Sequence, residues 1–398
     1  MRLRTIEKAD VKNKRVLVRA DFNVAMDKGV VKDDFRILRV VPTVRALLQK
    51  KAKVILISHL GRPLDRPRSQ RGMAGLSLRN IALRLAKDLR HKVRFVPSCV
   101  GPKAERAARA LKAGEVLLLE NLRFHKGEEE NDDAFASGLA ALGDIYVNEA
   151  FSVSHRNHAS VVAITRFLPS YAGPQLAEEA RVLHQAYAKP KLPLVMVMGG
   201  AKVETKARLI KRFFEKATNI LLGGIIANAV LQIQGAAVGK STLDPLAAES
   251  LKGLDWTSTK LHAPVDVVVA KEISASAWVK TVGVGNVNED EIILDIGLET
   301  VHLFSDIAAS ARTLIWNGPL GFSELPPFAI GSIEFAKAVA ASKAFTIVGG
   351  GETVTVIDKL GLADSINFIS TGGGAMLEFL AGDSLPGIEA LRHTQWKS

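Results

Sequence analysis

Leu194-Val195-Met196-Val197-Met198-Gly199-Gly200-Ala201-Lys202 sets five consecutive apolar residues in front of a glycine pair and a lysine. A short apolar run of this kind reads as a parallel strand buried on both faces. Glycines between a strand and a helix let backbone N–H groups approach a ligand and aim the helix N-terminus at it, which suits a nucleotide's phosphates. The same order recurs in Ile220-Leu221-Leu222 before Gly223-Gly224, in Phe345-Thr346-Ile347-Val348 before Gly349-Gly350-Gly351-Glu352-Thr353, and in Asn367-Phe368-Ile369 before Ser370-Thr371-Gly372-Gly373-Gly374. Val265 to Val269 and Thr313 to Trp316 are further strands of this half. Tight helix–strand packing explains one such pair as well as a phosphate does. Four in one half point to a nucleotide.

The first half has the same rhythm and different endings. Its runs are Val16-Leu17-Val18, Val54-Ile55-Leu56-Ile57, Val116-Leu117-Leu118-Leu119 and Ile145-Tyr146-Val147. They lead into Arg19-Ala20-Asp21-Phe22-Asn23, Ser58-His59-Leu60-Gly61-Arg62-Pro63, Glu120-Asn121-Leu122-Arg123-Phe124 and Asn148-Glu149-Ala150-Phe151. Arg and His at strand ends suit a small acidic molecule bound by charge-assisted contacts. The fold expected is α/β: two doubly wound parallel-sheet (Rossmann-like) domains, with the active site in the cleft between them. Leu168 to Pro174 breaks regular structure, and Gln175 to Tyr187 reads as a connecting helix. The expected bounds are 1–172 for the anion-binding domain, 173–188 for the hinge helix and 189–384 for the nucleotide-binding domain. That layout is one of a small-molecule kinase.

Composition narrows the alternatives. With 398 residues and 47% hydrophobic content, two domains with filled cores are expected, and collagenous, low-complexity and disordered classes are out. The single cysteine, Cys99, excludes an internal disulfide and a multi-thiolate zinc site. The N-terminus lacks the apolar core of a signal peptide and no apolar run reaches membrane length, so a soluble cytoplasmic protein is expected. The net charge is +12, and residues 1–170 carry 33 basic and 18 acidic residues against 20 and 23 in residues 171–398. The first half therefore meets an anion: nucleic acid, an acidic membrane surface or a small acidic substrate. An aromatic content of 6% weighs against stacking on single-stranded nucleic acid. Many of the cations simply solvate helix faces, as in Arg79 to Arg94.

Four other motifs carry less. Gly235 to Ser241 has three residues between its glycines where a P-loop has four, and reads better as a helix-ending turn. Gly283-Val284-Gly285-Asn286 lacks the third glycine of a dinucleotide fingerprint. His155 and His158 have no evident third metal ligand, which favours hydrogen bonding or substrate contact. The run Glu128-Glu129-Glu130-Asn131-Asp132-Asp133 is expected to be a solvated helix start.

Taken in order, Arg19 to Val24, Asp33 to Ile37, Ser58 to Pro63, Glu120 to Phe124, Gly199 to Val203, Trp316-Asn317-Gly318-Pro319, Gly349 to Gly351 and Ser370 to Ala375 resemble the phosphoglycerate kinase family, from about Lys14 to Leu391. The resemblance implies reversible phosphoryl transfer between 1,3-bisphosphoglycerate and ADP, giving 3-phosphoglycerate and ATP, in glycolysis. It assigns the phosphoglycerate to Asp21, Asn23, Arg36, His59, Leu60, Gly61, Arg62, Arg123 and Arg156. It assigns the nucleotide to Gly200, Lys202, Lys206, Gly224, Gly297, Asn317, Glu324, Gly350, Gly351, Glu352 and Thr353. Catalysis falls to Arg36, Lys202, Gly373 and Gly374, and Mg²⁺ arrives as the Mg-nucleotide complex with Glu352 as its protein ligand. By the same analogy residues 385–398 return to the first domain, the two domains close by hinge bending, and the enzyme is a monomer that requires no nucleic acid or membrane.

The chain departs from the family pattern in places. Glu352 stands where the family usually has Asp, which moves the carboxylate by ~1.5 Å. Glu149 also replaces Asp, Ser152-Val153 replaces Gly-Thr, and Ile225 replaces a third glycine. Two competing readings are a kinase for another acyl phosphate, separable by assaying phosphoglycerate against acetate and aspartate, and a catalytically inactive nucleic-acid binder, recognised by steeply salt-dependent RNA binding. The four arginines Arg36, Arg62, Arg123 and Arg156 account for a small-anion pocket and leave most of the basic excess unassigned.

Overall fold

The computed structural model describes residues 3–27, 29–65, 75–201, 203–245 and 247–393. The chain divides into two compact units, Met1–Val182 with Ser384–Ser398, and Leu183–Asp383. The helix Pro174–Ala188 carries the chain from the first to the second.

Among the described residues of the first unit, six parallel strands lie in the order Val93–Val96, Val116–Leu119, Lys53–Ile57, Arg15–Arg19, Ile145–Asn148, Ser170–Ala172. Val16, Leu17, Val18 and Val116 to Leu119 are buried on both faces, as parallel strands under crossover helices must be. Helix Phe35–Gln49 contributes Ile37, Val40, Val44 and Leu47 to the core, and Arg79–Leu89 contributes Ile81, Leu85 and Leu89. The charged stretch Arg79 to Arg94 thus contains a helix, a left-handed Arg90 at φ 52°, and then an edge strand. The expected break at Leu168 to Pro174 holds the other edge strand, paired with Tyr146 to Asn148. Both edges escape the sequence pattern because a strand with one neighbour needs no continuous apolar run.

The second unit has a six-stranded parallel sheet in the order Leu261–His262, Asn219–Leu222, Leu194–Met198, Thr313–Asn317, Phe345–Gly349, Phe368–Ile369. Its core includes Trp316, fully buried and edge-on to Phe335 with ring centroids 5.2 Å apart. The run Val265 to Val269 does not join this sheet. Asp266–Ala270 is the centre of an antiparallel three-stranded sheet, between Lys280–Gly283 and Ile292–Ile296. An apolar run reports burial and is silent about the direction of the neighbours.

In each sheet the strand order reverses beside a central strand. After Arg15–Arg19 the chain builds one side through Lys53–Ile57 and later returns to add Ile145–Asn148 on the other; Leu194–Met198 stands likewise between Asn219–Leu222 and Thr313–Asn317. Outside the carboxyl ends of such strands, ligands find a crevice. The C-terminal helix Pro386–His393 belongs to the first unit, where Gly387 N–H donates to the Ser154 carbonyl at 2.8 Å.

Candidate active site

At the reversal point of the first unit, Asp21 follows the strand Arg15–Arg19 and receives Arg36 from the first turn of Phe35–Gln49. Arg36 Nη1 donates to Asp21 Oδ2 at 2.7 Å and to the Asn23 carbonyl at 3.3 Å. Asn23 Oδ1 accepts from Gly61 N at 2.8 Å, and the Gly61 carbonyl accepts from Arg123 Nη1 at 2.8 Å. Gly61 sits at φ +60°, with the end of the Leu76 side chain 2.8 Å from where a β-carbon would go, so a larger residue here would be strained and would push Leu76 aside. Asn121 clamps Leu60, accepting from its N–H at 3.2 Å and donating to its carbonyl at 2.7 Å. Three adjacent strands thereby bring together Asp21, Asn23, Arg36, His59, Leu60, Gly61 and Arg123.

Two expected residues stand differently. Arg62 is 60% exposed, with its nearest carboxylate Asp65 at 3.6 Å. Arg156 is half-buried, and its charge lowers the pKa of both Arg123 and His158.

Behind these residues lies a buried polar layer that sequence reading did not assign. Arg19 is fully buried; its Nη2 meets His59 Nδ1 at 3.1 Å and its Nε donates to Ser160 Oγ at 2.9 Å. Glu128, expected to be solvated, is fully buried and accepts from Ser160 N at 2.9 Å and Ser160 Oγ at 2.6 Å. It lies 3.9 Å from Arg19 and 3.8 Å from His158. The reason is electrostatic: Arg19 ends a strand buried on both faces, and a buried cation needs a counter-charge. Glu129 also departs from the expectation, closing the short helix Lys126–Glu129 beside Arg123, whereas Asp132 does start a helix, capping Asp133–Ala140 through Phe135 N at 2.6 Å.

This layer sets the state of His59. Burial, then Arg19, Arg123 and Arg36, hold its pKa well below the usual histidine range, so the ring is neutral. Arg19 can only donate, so Nδ1 accepts and the proton sits on Nε2. His158 is likewise neutral, lowered to about 3 by burial and three arginines, and its buried Nδ1 has no hydrogen-bond partner among the described residues. Arg123 Nε lies 3.2 Å from Glu129 without hydrogen-bond alignment. Among the described residues these two buried nitrogens have no aligned hydrogen-bond partner, and the Arg123 charge is met by Glu129.

In the second unit the glycine turns interlock. Gly199 N–H donates to the Asn317 carbonyl at 3.0 Å and Gly200 N–H to the Pro319 carbonyl at 2.7 Å. Gly224 N–H donates to the Leu320 carbonyl at 2.8 Å. Helices Val203–Phe213, Gly224–Ile233, Gly351–Lys359 and Gly374–Ala381 begin at or just past these turns, so four N-termini cluster at the carboxyl ends of the strands. A cavity of about 200 Å³ opens there. Gly200, Gly224, Glu324 and Glu352 line it, with Ile225, Pro319, Leu320 and Phe322 as apolar walls.

Asn317, Gly350 and Thr353 form an adjoining cluster around Gly318, whose N–H donates to Thr353 Oγ1 at 2.9 Å. Lys206 is buried and its Nζ donates to the Gly199 carbonyl, which puts it beneath the turn. Gly297 caps Leu298–Ser310, and a β-carbon there would collide with Asp266. Among the described residues, and apart from their own chain neighbours, nothing lies within 4 Å of a β-carbon built on Gly351 or Gly373, so the space beside both is open. Lys202 lies outside the described residues.

Asp295 is a cavity residue with no sequence signal beyond its place in a strand. Burial raises its carboxyl to about 7, while it accepts from Gly331 N at 2.7 Å and Ile296 N at 2.9 Å.

The chain matches a family model described as phosphoglycerate kinase over residues 6–383. It is 46% identical over 391 residues to the phosphoglycerate kinase of Moorella thermoacetica, covering 97% of this chain and 98% of the relative. Against that of Thermomicrobium roseum the identity is 43% over 393 residues, covering 98% and 99%. Two solved structures are similar throughout. Phosphoglycerate kinase from Coxiella burnetii superposes with a TM-score of 0.82 at 36% identity, covering 98% of this chain and 99% of that one. The enzyme from Pyrococcus horikoshii OT3 gives 0.88 at 32% identity, with 98% of each chain covered.

Proposed function

Because the chain belongs to the phosphoglycerate kinase family, we propose that the strand-end residues of its first unit hold the phosphoglycerate and those of its second unit the nucleotide. The reaction is the reversible transfer of a phosphoryl group between 1,3-bisphosphoglycerate and ADP, giving 3-phosphoglycerate and ATP, as in glycolysis. Both attacking oxygens, carboxylate or phosphate, are ionised at neutral pH, so the transfer needs no strong base. Catalysis rests on positioning and charge neutralisation.

The observation that carries the reading is the convergence of Asp21, Asn23, Arg36, His59, Gly61 and Arg123 at three adjacent strand ends. Arg36 and Arg123 offer forked donors to phosphate or carboxylate oxygens, with Arg62 and Arg156 as outer cations. His59, neutral with its proton on Nε2, donates a hydrogen bond to an anion without adding a charge. In the second unit the apolar walls take the base, and Glu324 accepts from hydroxyl groups of the sugar. The N–H groups of Gly350 to Thr353 and of Gly373 and Gly374 face the phosphates, while the Gly200 and Gly372 N–H groups donate to the Pro319 carbonyl and the Ser370 hydroxyl and hold their turns in shape. Lys206 steadies the first turn, and Lys202 is assigned to the transferring group by sequence alone.

Magnesium fits this donor set. It binds through one or two carboxylates plus substrate phosphates, and Glu352, exposed on the first turn of its helix and lining the cavity, supplies such a carboxylate. When bound, the ion would neutralise charge on the nucleotide phosphates.

Arg36→Ala tests the reading. Losing a preorganised donor to the transferring group should lower turnover roughly 10²–10³-fold. Near-normal turnover in a coupled assay would remove Arg36 from the site.

A further inference from the structure

We propose that Ser152 is a positioning residue for Arg36: its hydroxyl, bonded to Asp21, fixes the carboxylate that aims the guanidinium. The inference rests on the reading of Arg36 given above and adds a residue to it.

Ser152 lies in the short turn Phe151–Val153, just past the strand Ile145–Asn148, and is 8% exposed. That strand is the neighbour of Arg15–Arg19 across the point where the strand order reverses. Ser152 Oγ donates to Asp21 Oδ2, the oxygen that also accepts Arg36 Nη1 at 2.7 Å. The other oxygen, Oδ1, accepts Asn23 N–H at 3.0 Å. The backbone therefore holds one carboxylate oxygen, and the serine holds the other from the adjacent strand.

Two consequences have the same sign. A terminal carboxylate torsion is broad, and a second anchor from another element narrows it, which fixes the direction in which Arg36 leaves Asp21. A hydroxyl on the shared oxygen also takes part of the carboxylate's charge, so Arg36 is less completely neutralised by Asp21 and keeps more of its field for an anionic ligand. A glycine at this position would offer neither. Ser152 touches Asp21 rather than the substrate, so its effect travels through Arg36.

Steady-state kinetics of Ser152→Ala, Ser152→Gly and Ser152→Thr test this, each alone and with Arg36→Ala. The Ala and Gly variants should lose about tenfold in kcat/KM for 3-phosphoglycerate, the size of one hydrogen bond to a charged group. Their KM for ATP should stay within twofold. Ser152→Thr, which keeps the hydroxyl, should recover most of the loss, and in the Arg36→Ala background the serine change should have no further effect. Unchanged kcat/KM in Ser152→Ala and Ser152→Gly, while Arg36→Ala alone is severely impaired, would overturn this proposal and leave the site reading standing. An equal loss toward both substrates, or a loss that persists without Arg36, would make Ser152 merely structural and also overturn it. Normal turnover in Arg36→Ala would remove the reading on which both rest.

Discussion

Gly224→Ala should strike the second unit's cavity, proposed above for the nucleotide, through the backbone. Gly224 has φ +59°, and a β-carbon built on it lies 2.4 Å from Gly200 N and 3.0 Å from both Gly200 Cα and O. The atoms it meets belong to the main chain of the neighbouring turn, so no side chain can swing aside. The turn itself is pinned, with Gly200 N–H on Pro319, Gly224 N–H on Leu320 at 2.8 Å and Ile225 N–H on the Gly200 carbonyl at 3.2 Å. A left-handed alanine costs about 1 kcal/mol, and relief of the overlap by backbone shifts adds roughly 1–3 kcal/mol. At about 2–4 °C per kcal/mol for a unit of this size, the melting temperature should fall roughly 5–15 °C. Since the displaced atoms line the cavity, the KM for ADP should rise more than the KM for 1,3-bisphosphoglycerate. Calorimetry and initial-rate kinetics measure both. A melting temperature within a degree of the parent, with an unaltered KM for ADP, would refute the interlocked turns.

Asp295 makes stability depend on pH. Burial raises its carboxyl to about 7 in the fold from the ordinary aspartate value of about 3.9, so between these values the folded chain holds this proton while the unfolded chain releases it. Its contribution is fully present below the unfolded pKa and falls as pH rises from about 4 to about 7, by at most about 1.4 kcal/mol per pH unit. Asparagine cannot ionise, so Asp295→Asn should gain stability relative to the parent across that window; urea midpoints whose difference is the same at pH 5 and pH 7.5 would contradict this. Glu352→Asp shortens a carboxylate that lines the cavity and, on the proposed assignment, should shift the Mg²⁺ concentration for half-maximal activity severalfold. A superimposable Mg²⁺ titration would separate Glu352 from the metal.

Contiguous patterns were legible in the chain itself. An apolar run followed by Gly-Gly and a helical segment is a local instruction, and Leu194 to Val203, Asn219 to Ile233 and Phe345 to Lys359 all follow it. The polar endings of the first-half strands likewise brought Asp21, His59 and Arg123 into view, because residues just past parallel strands gather at one edge of the sheet. Tertiary structure decided what those local patterns leave open. Val265 to Val269 turned out to pair antiparallel, since apolarity does not encode direction. Glu128 left the solvent because Arg19, 109 positions earlier, is buried beside it and needs an opposite charge. The tautomer of His59, the raised carboxyl of Asp295 and the bond from Ser152 to Asp21 across 131 positions have the same origin. Desolvation and pairing depend on neighbours that only folding assembles, so the residue types were readable in one dimension and their charges, protons and aims only in three.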